Sequence, residues 1–456
     1  MDTLSHLPPL PVVIDYSDKT RTMTSTDEVN ICLGLERHDR VRRVDLQAPS
    51  SSFHPWLLRM NQPFPRLVDL SLLSTTMETE EMSPVIPETL QAPNLRRLSL
   101  HGTSLPTGLP LLSSAIALST LSLTHIRASS YFTLGHLATQ LKNLPYLEEL
   151  SISFAIPLTS EGVLLPAPIS PVTLPTLRRL IFRGMDTYLD NLVAQINTPL
   201  LERLTLTLHF DLTFTLVNLA EFIHRTEGFE LLVAQVNFNE NGVSIDAGYN
   251  EQQGTGKPSL HVKVNCEPVD WQIDSAAQVC SALGKVLSTV QELSVDLRVG
   301  MASDWESTLD DAMWHELLLP YIGVKKLHVG SPLTLELSQA LESDVRGLVL
   351  PELQELEVSL EIDGVTSSLI AFLENRVSVG RHIDLLVPPE DEEENIRIRT
   401  TLAARRSQRQ ELEYHWQRKV DAERKEKEIW KAHALVLEGL LKGFDVSLPR
   451  PFSSGF

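Results

Sequence analysis

Cysteine is scarce: three residues in 456, Cys32, Cys266 and Cys280, none in a C-x-x-C pair. That spacing provides neither a disulfide framework nor a thiolate metal site. There is no N-x-[ST] sequon. The opening Met1-Asp-Thr-Leu-Ser-His-Leu-Pro-Pro lacks the basic start and apolar run of a secretory signal. Gly102 to Ile126 carries no charged residue, but Pro106, Gly108, Pro110 and many Ser and Thr interrupt it, so no membrane span is expected. Positive charge is the minority: 39 Lys+Arg against 59 Asp+Glu, a net charge of −20. Neutralising phosphates needs clustered Lys and Arg, so a general nucleic-acid binder is not expected. Aromatics reach only 6%, yet 42% of the chain is apolar, enough for a substantial core. These absences place the chain in the cytoplasm or nucleus.

What is abundant is leucine in a recurring pattern. Segments of the form L-x-x-L-x-L, with Val, Ile or Phe substituting, start at Val41, Leu67, Leu95, Leu118, Leu147, Leu177, Leu201, Val233, Val290, Val324 and Leu353. Ten intervals separate them, of 26, 28, 23, 29, 30, 24, 32, 57, 34 and 29 residues. The fourth and sixth positions alternate as on a strand with one buried face. The intervening residues suffice for a crossover, with helices expected near 131–144, 187–196, 216–226, 276–289 and 308–319. Pro65, Pro93, Pro145, Pro175, Pro199, Gly323 and Pro351 stand just ahead of strand copies, where a chain stops its helix and becomes extended. The predicted fold class is α/β, a leucine-rich-repeat-like solenoid of parallel strands with helical or irregular crossovers. The competing reading is a doubly wound sheet, whose strands carry uninterrupted apolar runs rather than this pattern.

Residues 1–40 read as an N-terminal cap or lead-in segment and 41–388 as the solenoid. The 57-residue interval holds two alternating strands around a Gly-rich turn, read as an inserted β-hairpin at about 242–265. An acidic linker is expected at 389–395, a long charged amphipathic helix at 396–442, and a tail at 443–456. Residues 397–431 hold 11 basic and 6 acidic residues, so the helix opposes the body in sign. Its apolar stripe, including Leu412, Trp416, Val420, Trp430, Leu437 and Leu441, is the candidate helix interface, of coiled-coil type although the heptad is interrupted.

Three stretches carry a resemblance: Leu10-Pro-Val-Val-Ile-Asp-Tyr running into Leu35-Glu-Arg-His-Asp-Arg-Val-Arg-Arg-Val-Asp-Leu, Val269-Asp-Trp-Gln with Ala277-Gln-Val-Cys, and Trp314-His-Glu-Leu-Leu-Leu-Pro-Tyr with Val324-Lys-Lys-Leu-His-Val. Over roughly residues 8–388 they resemble the leucine-rich-repeat region of the F-box-type families of mushroom-forming (basidiomycete) fungi. The resemblance implies repeats that hold a substrate for a cullin-RING ubiquitin ligase. An F-box needs some forty residues, and about nine precede Leu10, so the ligase adaptor is expected as a partner only if an F-box stands upstream.

No enzyme is expected, and no cofactor. Gly254-Thr-Gly-Lys-Pro lacks the spacing and the following Ser/Thr of a phosphate loop, and Pro258 forbids the helix such a loop needs. No H-E-x-x-H and no G-x-S-x-G elbow occurs. The informative positions are the x residues of the strand copies: Arg42, Arg43, Arg96, Arg97, Glu148, Glu149, Arg178, Arg179, Glu202, Arg203, Lys325 and Lys326. Two readings stay open for them. One is a solvated face whose charges satisfy one another across strands. The other is a surface that selects an unidentified protein partner by its charge pattern.

Overall fold

The computed structural model describes residues 10–17, 23–76, 84–106, 110–127, 134–155, 171–209, 211, 213–248, 258–297, 311–344, 347–358, 365–387 and 392–443. Two compact units are present, residues 1–389 and 390–456.

The first unit alternates strands and helices. In order they are β1 (Val12–Ser17), α1 (Ser25–Glu36), β2 (Val41–Ala48), α2 (Ser50–Arg59), β3 (Asp69–Ser74), β4 (Arg97–His101), α3 (Pro110–Ser114), β5 (Thr120–Ile126), α4 (Leu134–Leu141) and β6 (Glu149–Phe154). Next come β7 (Val172–Thr173), β8 (Arg179–Gly184), α5 (Asp186–Ala194), β9 (Ile196–Asn197), β10 (Arg203–His209), α6 (Val217–Arg225), β11 (Val233–Asn239), β12 (Gly242–Gly248) and β13 (Ser259–Asn265). The series closes with α7 (Val269–Ala282), α8 (Gly284–Leu287), β14 (Glu292–Leu297), α9 (Asp311–Leu318), β15 (Lys326–Val329), α10 (Thr334–Ser343), β16 (Glu355–Glu357), α11 (Val365–Ser378) and β17 (Asp384–Leu386).

All but β7 and β9, which pair with each other, form one 15-stranded sheet in the order β1-β2-β3-β4-β5-β6-β8-β10-β13-β12-β11-β14-β15-β16-β17. All eleven L-x-x-L-x-L copies lie on strands of this sheet. The strands bury alternate residues, such as Leu70 and Leu72 on β3 or Leu204, Leu206 and Leu208 on β10, while Ser71, Thr205 and their neighbours stay partly exposed. A sheet covered on both faces would bury both sets.

Nine of the eleven copies, all but those at Val41 and Val233, enter their strands through the same turn. The amide of the first Leu or Val donates to the carbonyl three residues earlier at 3.1–3.3 Å, as in Leu67 to Phe64, Leu95 to Ala92, Leu147 to Leu144, Val324 to Tyr321 and Leu353 to Leu350. Pro65, Pro93, Pro145, Pro175, Pro199 and Pro351 occupy the second residue of such turns, where the ring's fixed φ is already correct. The turn explains why proline precedes so many copies.

Three sequence expectations change. Residues 12–36 form a strand and helix that join the sheet beside β2, so the segment read as a cap is a further βα unit; residues 1–9 and 18–22 lie outside the described residues. The predicted hairpin at 242–265 is present as the antiparallel pair β12 and β13, but instead of being added onto the sheet its two strands are interior ones. β13 pairs parallel with β10, β12 antiparallel with both neighbours, and β11 parallel with β14. The chain passes from β10 over to β11, returns through β12 to β13, and crosses back by α7 and α8 to β14. That return path is the physical reason for the 57-residue interval. The β11–β12 turn requires Gly242, whose φ is +135° and where a Cβ would stand 1.9 Å from the Val264 carbonyl oxygen.

The second unit is α12 (Glu392–Gly443). It starts four residues ahead of the predicted helix, so residues 392–395, read as linker, belong to its first turn. Residues 389–391 and 444–456 of the predicted linker and tail lie outside the described residues. Among the described residues no helix is long and apolar enough to cross a membrane.

Candidate partner-binding face

The candidate charges separate into two files. Except at Arg42 and Ala234, which lie within β2 and β11, the second residue of each copy stands just ahead of its strand; its amide bonds a carbonyl just ahead of the neighbouring strand, as Glu148 N to Ser119 O, Arg178 N to Glu148 O, Glu202 N to Arg178 O and Lys325 N to Gln291 O, each at 2.8 Å. Arg42, Arg96, Glu148, Arg178, Glu202 and Lys325 belong to this file. The third residue begins the alternation on the outward face. Pairing places Val13, Arg43, Asp69, Arg97, Thr120, Glu149, Arg179, Arg203, Ser259, Gly248, Val233, Glu292, Lys326, Glu355 and Asp384 in one row across the fifteen strands. Adjacent x residues therefore do not share one location, as the sequence reading supposed. The first sits in the turn-to-strand junction; only from the third onward does strand alternation set the direction.

Many of these charges already have partners. Asp69 joins Arg97 at 2.6 Å and Arg43 at 3.8 Å, and Arg43 also meets Asp45 at 2.8 Å. The Asp69 hydrogen bond holds the Arg97 guanidinium still further above its ordinary range. Arg179 lies 3.7 Å from Glu149, Arg178 pairs with Glu202, and Lys326 lies 3.4 Å from Glu357. Exposed pairs of this kind contribute little to stability. Among the described residues, Arg42, Arg96, Arg203 and Lys325 make no ion pair and are exposed.

The next outward row differs between the two ends of the sheet. From β3 to β6 it is Ser71, Ser99, Ser122 and Ser151, followed by Ile181 and Thr205 on β8 and β10. On the other side it carries His261, Asp246, Gln235, Ser294, His328 and Glu357. Burial raises the Asp246 carboxyl, but the His261 hydrogen bond and charge, with Ser244 and Asn237, more than reverse that and hold it below its usual range. His328 lies between Asp296 at 3.8 Å and Glu357 at 3.6 Å. Sequence reading missed this His–carboxylate group, because Asp246 and His261 meet only through the antiparallel pairing of β12 with β13.

The helix residues are on α12. Leu412, Trp416, Trp430 and Leu437 are exposed and Val420 is half-buried; Leu441 is within the helix, but its side chain lies outside the described residues. Glu423 and Lys427 interrupt the stripe between Val420 and Trp430.

No catalytic constellation converges on either file, and among the described residues no group of three or more His, Cys, Asp or Glu side chains is placed to hold a metal. Cys266 and Cys280 are buried; burial pushes the Cys280 thiol up to about 12, against the Tyr321 hydroxyl at 3.3 Å. No protein-family model matches the chain, and neither a curated protein nor a solved structure does.

Proposed function

We propose that the chain is a non-enzymatic interaction protein of the cytoplasm or nucleus, built as a leucine-rich-repeat solenoid that receives a protein partner across its outward strand face. The observation that carries the reading is the single row of residues in register across fifteen strands, ten of them third positions of the L-x-x-L-x-L copies. An enzyme would need convergent groups in named roles, and the face presents dispersed ones. The partner carries carboxylates: with Asp69, Glu149, Glu202 and Glu357 engaged within the chain, the cations left to recruit are Arg42, Arg96, Arg203 and Lys325. The resemblance to F-box-type repeats supports substrate recognition in a ubiquitin-ligase-type assembly as the setting. A repeat scaffold outside ubiquitin chemistry is the alternative, favoured by the internal pairing that leaves part of the row self-satisfied.

The test is affinity capture with the full chain and an Arg42→Glu/Arg96→Glu/Arg203→Glu variant of unchanged thermal midpoint. The expected outcome is loss of the partners that wild type retains; an identical partner set removes this face as the site. Co-purification of the cullin adaptor with wild type separates the ligase setting from the scaffold.

A further inference from the structure

Away from the charged row, toward the C-terminal ends of the strands, the outward face holds a second group of basic side chains, mostly histidines, with another organisation. On β5 the register slips by one residue between Leu123 and Ile126, and His125 adopts φ +55°. A positive φ at a residue other than glycine is strained, and such bulges re-aim side chains. This bulge brings His125 over His101 of β4, ring centroids 5.3 Å apart and 20° from parallel. His101 is itself tied to the Thr124 hydroxyl at 3.0 Å.

The neighbouring strand supplies a low floor. Ile126 pairs with Phe154, and the Ala155 amide bonds the Ile126 carbonyl at 2.9 Å, so Ser153 lies beside the bulge and Ala155 beside Arg127. On the far side Ser153 pairs with Arg183 of β8. Ser153 of β6 and Ala155 just beyond it, both small and half-buried, are thus bordered by His125 of β5 on one side and Arg183 of β8 on the other. β5 and β8 stand two strand spacings apart, about 10 Å. His209, one strand further on β10, has one ring nitrogen held by the Phe154 backbone; its Nε2 is buried with no hydrogen-bond partner among the described residues. Beyond the first row, the outward residues of β4, β5, β6, β8 and β10 are serines, threonines, histidines, Arg183 and Ile181, without a carboxylate. The acidic residues close by in sequence, Asp186 and Asp211, belong to the crossover after β8 and the segment after β10; Asp186 accepts the Thr215 amide at 2.6 Å.

From this arrangement we infer an oxyanion site above Ser153 and Ala155, bounded by His125, Arg183 and His209, that takes a phosphate monoester. Donors approach from two opposite sides and, through the Ser153 hydroxyl, from below. That spread suits a tetrahedral group with oxygens in several directions better than a planar carboxylate, which one arginine satisfies in a plane. Proximity has a second signature: burial lowers the titration of His101, His125 and His209, and Arg183 adds to the effect at both His125 and His209. A bound dianion relieves this mutual repulsion and gives the buried Nε2 of His209, once protonated, an acceptor. The site needs no partner on the first row and stands apart from the reading above.

The ligand's source is either a free phosphate ester or a phosphorylated side chain of another protein. The test is calorimetric titration of the full chain, at fixed ionic strength, with inorganic phosphate and with a phosphoserine peptide of otherwise uncharged sequence. Saturable binding is expected, weakened about tenfold or more by Arg183→Gln, which removes a charge-assisted hydrogen bond, and unchanged by Arg203→Gln in the first row. His125→Asn, which tolerates the left-handed backbone, is the second variant and is expected to weaken binding with its thermal midpoint preserved. Binding of both probes marks a site for free phosphate esters; binding of the peptide alone marks a phosphorylated partner. Absence of saturable binding by either probe, or equal binding by wild type, Arg183→Gln and His125→Asn, overturns the inference.

Discussion

The two stretches of sheet on either side of the antiparallel excursion are built by the same turn and held by different means. Among the main-sheet strands from β2 to β10 the lengths run from five to eight residues, and the strand face does much of the organising, with Leu at many buried positions and Ser at many outward ones. From β14 to β17 the strands shorten from six residues to three. The helices take over there: α9 packs on α7 and α10, and α10 on α11. Beneath them Arg376 and Asp344, their side chains 3% and 5% exposed, meet at 3.4 Å. Asp344 also accepts the Leu348 and Val349 amides at 3.1 and 3.0 Å, while Arg376 donates to the Val349 carbonyl. One strand pattern is therefore compatible with two ways of stabilising a repeat: by length of ladder, or by a buried polar anchor between crossovers.

The sharpest way to break the comparison is Arg376→Ala. It leaves Asp344 buried and uncompensated, and a loss of about 3–5 kcal/mol is expected. Urea unfolding measures it, and hydrogen exchange is expected to show β15–β17 losing protection while β2–β10 keep theirs. A loss spread evenly over both stretches would remove the distinction. Next is Gly242→Ala at the excursion, where strain at φ +135° and contact with the Val264 carbonyl are expected to cost about 3 kcal/mol, read from the same urea midpoint. A smaller effect separates the stretches by pH. His101, His125 and His209, all on the β2–β10 side, titrate below their usual range in the folded chain, first because of burial. The unfolded chain then binds more protons, so the stability these residues leave intact at neutral pH is lost as pH falls below about 6.5. The thermal midpoint is expected to drop on acidification through that range, and less steeply in a triple His→Asn variant. The smallest effect is Arg97→Ala: its Asp69 partner is close, but the arginine is 61% exposed, so a change under about 1 kcal/mol is expected.

Much of the sheet was legible because leucine spacing reports burial directly. All eleven copies lie on strands of the sheet, and each of the five predicted stretches holds helix, the one at 276–289 divided between α7 and α8; residues 131–133 and 308–310 of the predicted helices lie outside the described residues. β1 escaped because Pro-Val-Val-Ile-Asp-Tyr alternates without the leading leucine, and β17 because three residues carry no period. The place of β13 between β10 and β12 could not be read locally, since strand order depends on which edge the returning chain meets. At the candidate face the charged positions were legible, but their pairing was not. Arg97 and Asp69 lie 28 residues apart in sequence and meet only because their strands are in register. His125 was invisible for a related reason: its direction comes from a one-residue slip that no alternation pattern announces.

The order β10-β13-β12-β11 also sets a schedule. β10 ends at His209, and the strand that will cover its open edge ends at Asn265. At about 5–20 residues per second of synthesis, those intervening 56 residues keep the β10 edge unpaired for roughly 3–11 s. Throughout that interval the β10 edge of the parallel sheet is bare, and a bare edge is the form most open to pairing with another strand. The next repeat-like strand to emerge, β11, has the right pattern but the wrong place. Correct assembly therefore depends on β11 waiting for β12 and β13, and the seconds around residue 233 are the vulnerable moment in this molecule's birth.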